Sequence, residues 1–362
     1  MNTVLGDAGL SPGTDFRQTL GGTYDQRTYV AQYDETQYNF VNRLMEQEGI
    51  HYYFTHGAGG SVMEIIDDNS GFAATPNGPF SYYGHKADAP GPTEEHIRTF
   101  HLAIREFTDT VQVRNFDSGA GAVVSGNAST TGGEGEYYSY GPHPDQTAPA
   151  DLNTLASHQL GALRVARTAS YGTSTVGDLK AGHTFTLNDT TGAALGLSYV
   201  ALRVRHAGFF QSGSGGNCFY YGNDFIVSPT SVTYRPEKKT PKPTIEGLTS
   251  GTVTGPGGSD VHTDSLGRVK VAFHWDRSGI TDEDSSGWIR PVQSPHQLFL
   301  PRVGSEVLIA HLNGDIDRPV VIGTVYNGAE QPPYALPDNA TRSTIRTETV
   351  PANGTYNEIR FE

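Results

Sequence analysis

The chain has 362 residues, too many for one ordinary domain and enough for two or three, each with its own core. Charged residues are 18% and hydrophobic ones 36%, with 44 Gly, 19 Tyr and 16 Phe, a mix that favours short strands joined by Gly-rich turns and predicts a mainly β protein. A formal charge of −14 repels phosphate backbones and anionic membranes, which excludes nucleic acid as a partner.

Cys218 is the single cysteine, so no intrachain disulfide forms, and no Cys/His cluster has the spacing of a zinc site. No cofactor and no metal are expected. No run approaches the roughly 18 apolar residues that cross a bilayer, and Met1–Leu5 lack the basic and apolar regions of a signal peptide. The expectation is a chain made soluble in the cytoplasm, which something else must carry if it leaves the cell.

Asp34 or Thr36 can cap a helix whose apolar residues Phe40, Val41, Leu44 and Met45 recur at helical spacing, with Gly49 as the left-handed stop. That predicts a helix over 36–48, running into a strand at Ile50–Phe54, where the apolar period drops to two. A second helix is expected over 151–167, with Leu152, Leu155, Leu163 and Ala166 on one stripe. Both read as packing helices on a β scaffold. Strands are expected at 61–67, 97–107, 111–116, 183–187, 198–207 and 219–227. Between the third and fourth, Ser118–Gly135 is rich in Gly, Ser and Ala without an apolar period, and predicts an exposed loop. Arg235–Thr244 has three prolines and no apolar residue, and predicts an extended linker between domains.

Beyond the linker, five strands are expected at 248–254, 268–275, 287–293, 305–312 and 318–326, which suggests a small closed barrel of the OB type. In the second of these, Val269, Val271, Phe273 and Trp275 share one face while Lys270 and His274 share the other. Gly267 follows Asp264 in a hairpin turn that needs positive φ, and Gly314-Asp315 ends the fourth strand similarly. Arg268, Arg302 and Arg318 each lie near acidic residues and read as ion-paired loop anchors. Residues 241–330 carry 11 acidic and 7 basic side chains, which gives an oligonucleotide-binding use of the barrel no electrostatic support. In the last strand Ile359 and Phe361 alternate with charged neighbours. A single strand cannot bury them, whereas three copies about one axis satisfy both the apolar face and the backbone, so trimerisation is expected as a folding requirement.

Catalysis has little to stand on. His262 and Asp264 form the tightest His/Asp pairing but have no nucleophile in a local motif. Asp67-Asp68-Asn69 resembles a fragment of a cation loop, lacks the EF-hand ligand order, and reads as a solvated turn. Glu46 and Glu48, two apart on a helix, diverge by about 200° and share no substrate. No G-x-S-x-G, P-loop or H-E-x-x-H is present.

Several long segments resemble the VgrG family, the spikes of type VI secretion and related contractile injection systems. They are Tyr29–Phe54, Gly182–Leu187, Asp264–Arg277, Pro301–Asn327 and Asn357–Phe361. In the third lie Asp264, Gly267, Arg268, Val269, Val271, Phe273 and Trp275; in the fourth, Pro301, Arg302, Gly304, Glu306, Gly314, Asp315, Arg318 and Pro319. The resemblance implies a fusion of a phage baseplate hub with a cell-puncturing needle. A partial first hub barrel would span 1–100, a second 101–240, an OB barrel 241–330, and a neck with the start of a triple-stranded β-helix 331–362. Asn357, Ile359 and Phe361 would then begin the trimeric needle. The partners implied are two further copies, a tail tube protein with baseplate components, a tip protein or effector cargo, and the target-cell envelope during injection. Such a protein works mechanically, assembles in the cytoplasm, and is translocated or built into an extracellular particle. Two alternatives stand beside it: an evolved spike with an enzymatic domain past residue 362, and a glycan- or receptor-binding module using Tyr137-Tyr138-Ser139-Tyr140.

Overall fold

Residues 1–83, 94–103, 105–189, 197–213 and 216–362 are described in the computed structural model of the chain. They divide into two units: the first holds residues 1–25, 36–142 and 146–241, and the second holds 26–35, 143–145 and 242–362.

The first unit begins with a short helix α1 (Asn2–Asp7), which no sequence pattern announced, and strand β1 (Phe16–Thr19). Helix α2 (Gln37–Glu48) forms where its caps direct it: Thr36 Oγ1 accepts the Asn39 N–H at 3.1 Å, and Gly49 turns left-handed at φ 73°. Strands β2 (His51–Gly57) and β3 (Gly60–Ile66) follow as an antiparallel hairpin, with β1 parallel to β3. The apolar face of α2, through Val41 and Met45, packs on Phe16, Ile50 and Ile65.

Next come β4 (Ala73–Ala74), β5 (Phe80–Tyr82) and β6 (Ile97–His101). A three-stranded sheet follows from β7 (Thr110–Asp117), β8 (Ala122–Ser129) and β9 (Glu136–Tyr140), with helix α3 (Pro149–Thr168) against it. The unit ends with β10 (Ser170–Ser174), β11 (His183–Asp189), β12 (Ser198–Gly213) and β13 (Gly216–Pro229). Pairing runs β12-β13-β10-β6-β5-β11 and back to β12, a closed barrel of six strands with β4 added to β11. Closure removes open edges and leaves an interior filled by Phe80, Ile97, Leu187, Tyr199, Phe225 and Val227.

Several expectations are corrected here. The Gly/Ser/Ala stretch 118–135 is not a loop: β8 runs through its middle, paired antiparallel to β7. Its small residues are a seat for α3, because a Cβ on Gly126 would overlap the backbone of Leu152 and Asn153. The tyrosines at 137–140 are likewise strand, β9, at the edge of that sheet. On α3 the stripe is carried by Val165, while Ala166 is exposed. The strand expected over 97–107 stops at His101, and residue 104 lies outside the described residues. Asp67 is no solvated turn: it is buried and accepts the N–H groups of Gly21 and Gly22 and the Tyr24 hydroxyl (2.7 Å), tying 21–24 to the end of β3. Burial opposes its ionisation, but these donors prevail and hold the carboxyl below the usual range. Nor is 235–241 a free tether. Arg235 donates to the Asp67 and Gly49 carbonyls, and the Glu46 carboxylate accepts the N–H groups of Lys239 and Thr240 at 3.0 and 2.9 Å.

In the second unit, strands β14 (Thr249–Thr254), β15 (Lys270–Phe273), β16 (Arg290–Pro291), β17 (Glu306–His311) and β18 (Pro319–Val325) form a sheet of order β15-β14-β17-β18-β16. Reciprocal hydrogen bonds between Val269 and Ile289, both 2.8 Å, join its two ends. All five expected strands are present, although the third shrinks to a two-residue ladder. Val253, Val269, Val271, Phe273, Ile289, Val307, Ile309 and Val321 fill the interior, as the period-two pattern requires. Segment 26–35 belongs to this unit: Tyr29 stacks on Phe273, Tyr33 meets Trp275 edge-on at 5.2 Å, and Ala31 packs with Ile245 and Ile316.

The chain ends in an antiparallel hairpin of β19 (Ser343–Glu348) and β20 (Tyr356–Phe361). This corrects the expectation that the last strand finds backbone partners only in other copies, since β19 supplies them within the chain. Among the described residues no helix is long and apolar enough to cross a membrane.

Two measurements check this packing. Gly126→Ala forces α3 off its seat and should lower unfolding free energy by about 1–3 kcal/mol, whereas Gly59→Ala, with open space at its Cβ, should shift it by less than about 0.5 kcal/mol in the same urea titration. His51 sits against Tyr234 and Phe72, and burial pushes its pKa down to about 4 from 6.5. Between those values the unfolded chain binds the extra proton, so stability falls as pH falls through that window. The effect is at most about 3 kcal/mol. Urea midpoints at pH 7.5, 6.5 and 5.5 should decline, and His51→Phe should flatten the decline.

Candidate functional site

The loops of the second unit show how the barrel signature is used. Asp264 Oδ1 accepts the N–H groups of Leu266 and Arg268 at 3.0 and 2.9 Å, and its Oδ2 takes the Arg268 guanidinium at 2.6 Å. Burial works against the charged form, yet these donors outweigh it and keep the carboxyl below its ordinary range. Gly267 completes the turn at φ 71° and Gly314 turns left-handed at φ 72°, as the spacing requires. Gly304, at φ 96°, passes its N–H to the Val253 carbonyl at 2.9 Å. Arg318 pairs with Asp315 at 3.4 Å, and Glu306 accepts from Asn327 at 2.8 Å. Pro301 is buried and Pro319 opens β18. Arg302 departs from the expectation: its guanidinium donates to the Glu348 carbonyl at 3.0 Å rather than to a carboxylate.

A buried charged cluster went unseen in the sequence. Lys242 reaches Asp315 and Asp317 at 2.5 and 2.7 Å. Beside them, His143 Nε2 donates to the Tyr29 carbonyl at 2.9 Å while its Nδ1 accepts the Asp145 N–H at 3.3 Å. Burial is the main cause that pushes the His143 pKa down, consistent with a neutral ring in this bonding pattern. Asp145 also accepts both the N–H and the hydroxyl of Thr28. His143 Nε2 also lies 4.0 Å from Asp317, so segments 26–35 and 143–145 are joined to each other and to the barrel. Only the Asp315-Ile316-Asp317-Arg318 alternation could have hinted at it; nothing in the sequence marks His143 as a partner.

The terminal hairpin is held on one face and bare on the other. Tyr334 donates its hydroxyl to Glu358 at 2.7 Å, Thr344 donates to the same carboxylate, and Arg346 lies over Tyr356 at 3.8 Å. The Thr344 and Tyr334 hydroxyls hold the Glu358 carboxyl below its usual range. Asp260 accepts the Ala352 N–H at 2.8 Å, which ties the hairpin loop to a barrel loop. Opposite that face, in the register Ile345↔Ile359 and Thr347↔Asn357, project Ile345 (53% exposed), Ile359 (61%) and Phe361 (66%). Among the described residues no strand crosses this apolar stripe, which stays open to solvent.

Two family models match the chain. One describing the phage tail baseplate hub (GPD) matches residues 1–212. The chain belongs to that family. A second, describing the injector OB domain of type VI secretion systems and phage baseplates, matches 250–326. Among its relatives are the Pseudomonas aeruginosa type VI secretion spike proteins VgrG1b, 31% identical over 99% of this chain and 50% of that one, and VgrG1a, 30% identical over 96% and 56%. This hub-family chain therefore spans about half the length of those relatives. The actin cross-linking toxin VgrG1 of Vibrio cholerae is 31% identical over the whole of this chain and 34% of its own. In fold, an E. coli type VI secretion component, described as similar to the T4 tail proteins gp27 and gp5, superposes with a TM-score of 0.56 at 20% identity, over 90% of this chain and 71% of that one.

The residues weighed for chemistry are used otherwise. His262 packs on Trp288 with ring centroids 5.0 Å apart and makes no hydrogen bond to Asp264, which Arg268 engages. Among the described residues no group of three His, Cys, Asp or Glu side chains is placed to hold a metal. Asp264→Ala removes three hydrogen bonds, two of them to Arg268, and should cost about 2–4 kcal/mol in urea unfolding. Arg302→Ala, which frees one carbonyl at the hairpin, should cost under about 1.5 kcal/mol.

Proposed function

We propose that the chain is the hub and spike base of a contractile injection machine, three copies of which join about one axis. The observation that carries the reading is the terminal ribbon, whose polar face is engaged within its own unit while Ile345, Ile359 and Phe361 face water. Three ribbons brought together cover those side chains at once, each contributing about 1.5–3 kcal/mol on full burial. Cyclic symmetry closes the contact without leaving a free surface. The hub-family match supports attachment to a tail tube or baseplate, and the injector-domain match supports a role at the root of a puncturing needle. The work is mechanical: contraction drives a hydrogen-bonded point through a target envelope, with effectors carried on it. Assembly takes place in the cytoplasm before translocation.

Light scattering on the full chain tests this. The expected result is a trimer at micromolar concentration, and Ile359→Ser with Phe361→Ser should yield a folded monomer with unchanged circular dichroism. A wild-type chain that stays monomeric and well ordered overturns the reading. A second reading, a spike that also carries an enzymatic domain, is favoured by the toxin relative, which matches this chain with only a third of its length. Intact mass of the protein purified from its native source checks it, and a mass accounted for by residues 1–362 alone removes it.

A further inference from the structure

Strands β12 and β13 outrun their barrel. Within the barrel wall β13 pairs with β10 only over Asn223–Val227, and β12 with β11 only over Ser198–Val200. From Ala207↔Gly222 outward the two strands bond to each other alone among the described residues, through Phe210↔Phe219 and beyond. This arm is apolar on both sides: Phe209 stacks on Tyr220 at 4.6 Å on one face, and Phe210 opposes Phe219 on the other. Phe209 is 61% exposed and Phe219 70%. Two strands with both faces wet are marginal in water, and an open ribbon edge is a template for another strand. At the root of the arm stands Arg205, exposed and without an ion-pair partner among the described residues.

The same unit carries a matching edge. β9 pairs only with β7, in parallel, and leaves its other side open among the described residues. Along one face run Glu136, Tyr138 and Tyr140, all exposed, and Glu136 has no ion-pair partner either. The two patterns have the same spacing. Arg205, Ala207 and Phe209 step by two along β12 as Glu136, Tyr138 and Tyr140 do along β9, a span of about 13 Å in each strand.

We propose that in the assembled protein the arm of one copy adds in parallel to the β9 edge of the next, with Arg205 beside Glu136, Ala207 under Tyr138 and Phe209 against Tyr140. The contact joins two different surfaces, so it runs head to tail, and about the three-fold axis of the trimeric reading it closes into a ring. It supplies the missing ladder to both edges, covers the arm's aromatic side, and brings together a cation and an anion that make no ion pair among the described residues. The small Ala207 leaves room for a tyrosine ring at the middle position. This contact rests on the trimeric reading above and adds a second, hub-side interface to it.

The test uses the full chain in a Cys218→Ser background. Arg205→Glu and Glu136→Arg should each raise the concentration at which half the protein is trimeric by about tenfold or more, and the double exchange should bring it back to within about threefold of the parent. Chains carrying Ala207→Cys, mixed with chains carrying Tyr138→Cys, should form a disulfide between the two species under mild oxidation. Neither charged residue makes an ion pair among the described residues, and circular dichroism with a urea midpoint reads whether each variant keeps its fold, since Arg205→Glu stands opposite Asp224 in the β12–β13 register. A trimer that forms normally in both reversals, with no mixed disulfide, overturns the arm contact and assigns the arm to a different protein such as a tube subunit, while the trimeric reading stands. A parent chain that is monomeric overturns both.

Discussion

A two-stranded ribbon has two faces, and a single chain here covers only one of them. At the terminal hairpin Tyr334, Thr344 and Arg346 bind the polar face of the ribbon, and the isoleucines and phenylalanine opposite are left without cover. A related constraint recurs at the β12–β13 arm, where among the described residues the outer parts of the two strands pair only with each other and Phe209, Phe210 and Phe219 are exposed. Apolar side chains left open on one face of a ribbon are burial that a single copy does not complete, and that is the ground of the proposed association.

Within the first unit the limiting quantity is distance rather than area. Helix α3 lies on β7 and β8 only because Gly126 offers no Cβ, and Val111, Val113, Leu152 and Leu155 then meet in one layer. Polar side chains do the joining that disulfides would do in a secreted domain. Asp67 gathers the 21–24 segment, and Glu46 holds Lys239 and Thr240. In each case a carboxylate accepts several donors, and for the buried Asp67 these outweigh the cost of burial and hold its carboxyl below the usual range.

The second unit solves a similar problem with charge. Lys242 pairs with Asp315 and Asp317, while His143 donates to the Tyr29 carbonyl, accepts the Asp145 N–H and lies 4.0 Å from Asp317, so two distant stretches of sequence meet at the barrel. Tyr29 and Tyr33 then lie on Phe273 and Trp275, so the aromatic face of β15 is covered from outside the five strands. A likeness of fold to an E. coli type VI component, and of sequence to the P. aeruginosa spikes, falls on a chain built around these two devices.

The sequence by itself determined what depends on neighbours close along the chain. Caps placed α2 between Thr36 and Gly49, alternation placed Val269, Val271 and Phe273 inward, glycines at 267 and 314 marked the left-handed turns, and long ordered segments marked the family. Contacts between residues far apart in sequence leave no such local mark. Only the tertiary structure decided that the glycine-rich stretch around Gly126 is a helix seat rather than a loop, that Asp67 is buried, and that residues 26–35 belong with the barrel. The last strand shows the difference most plainly: its alternating pattern foretold an apolar face needing company, but whether β19 or another copy would complete its backbone ladder depended on a turn at 349–355 that the alternation does not encode.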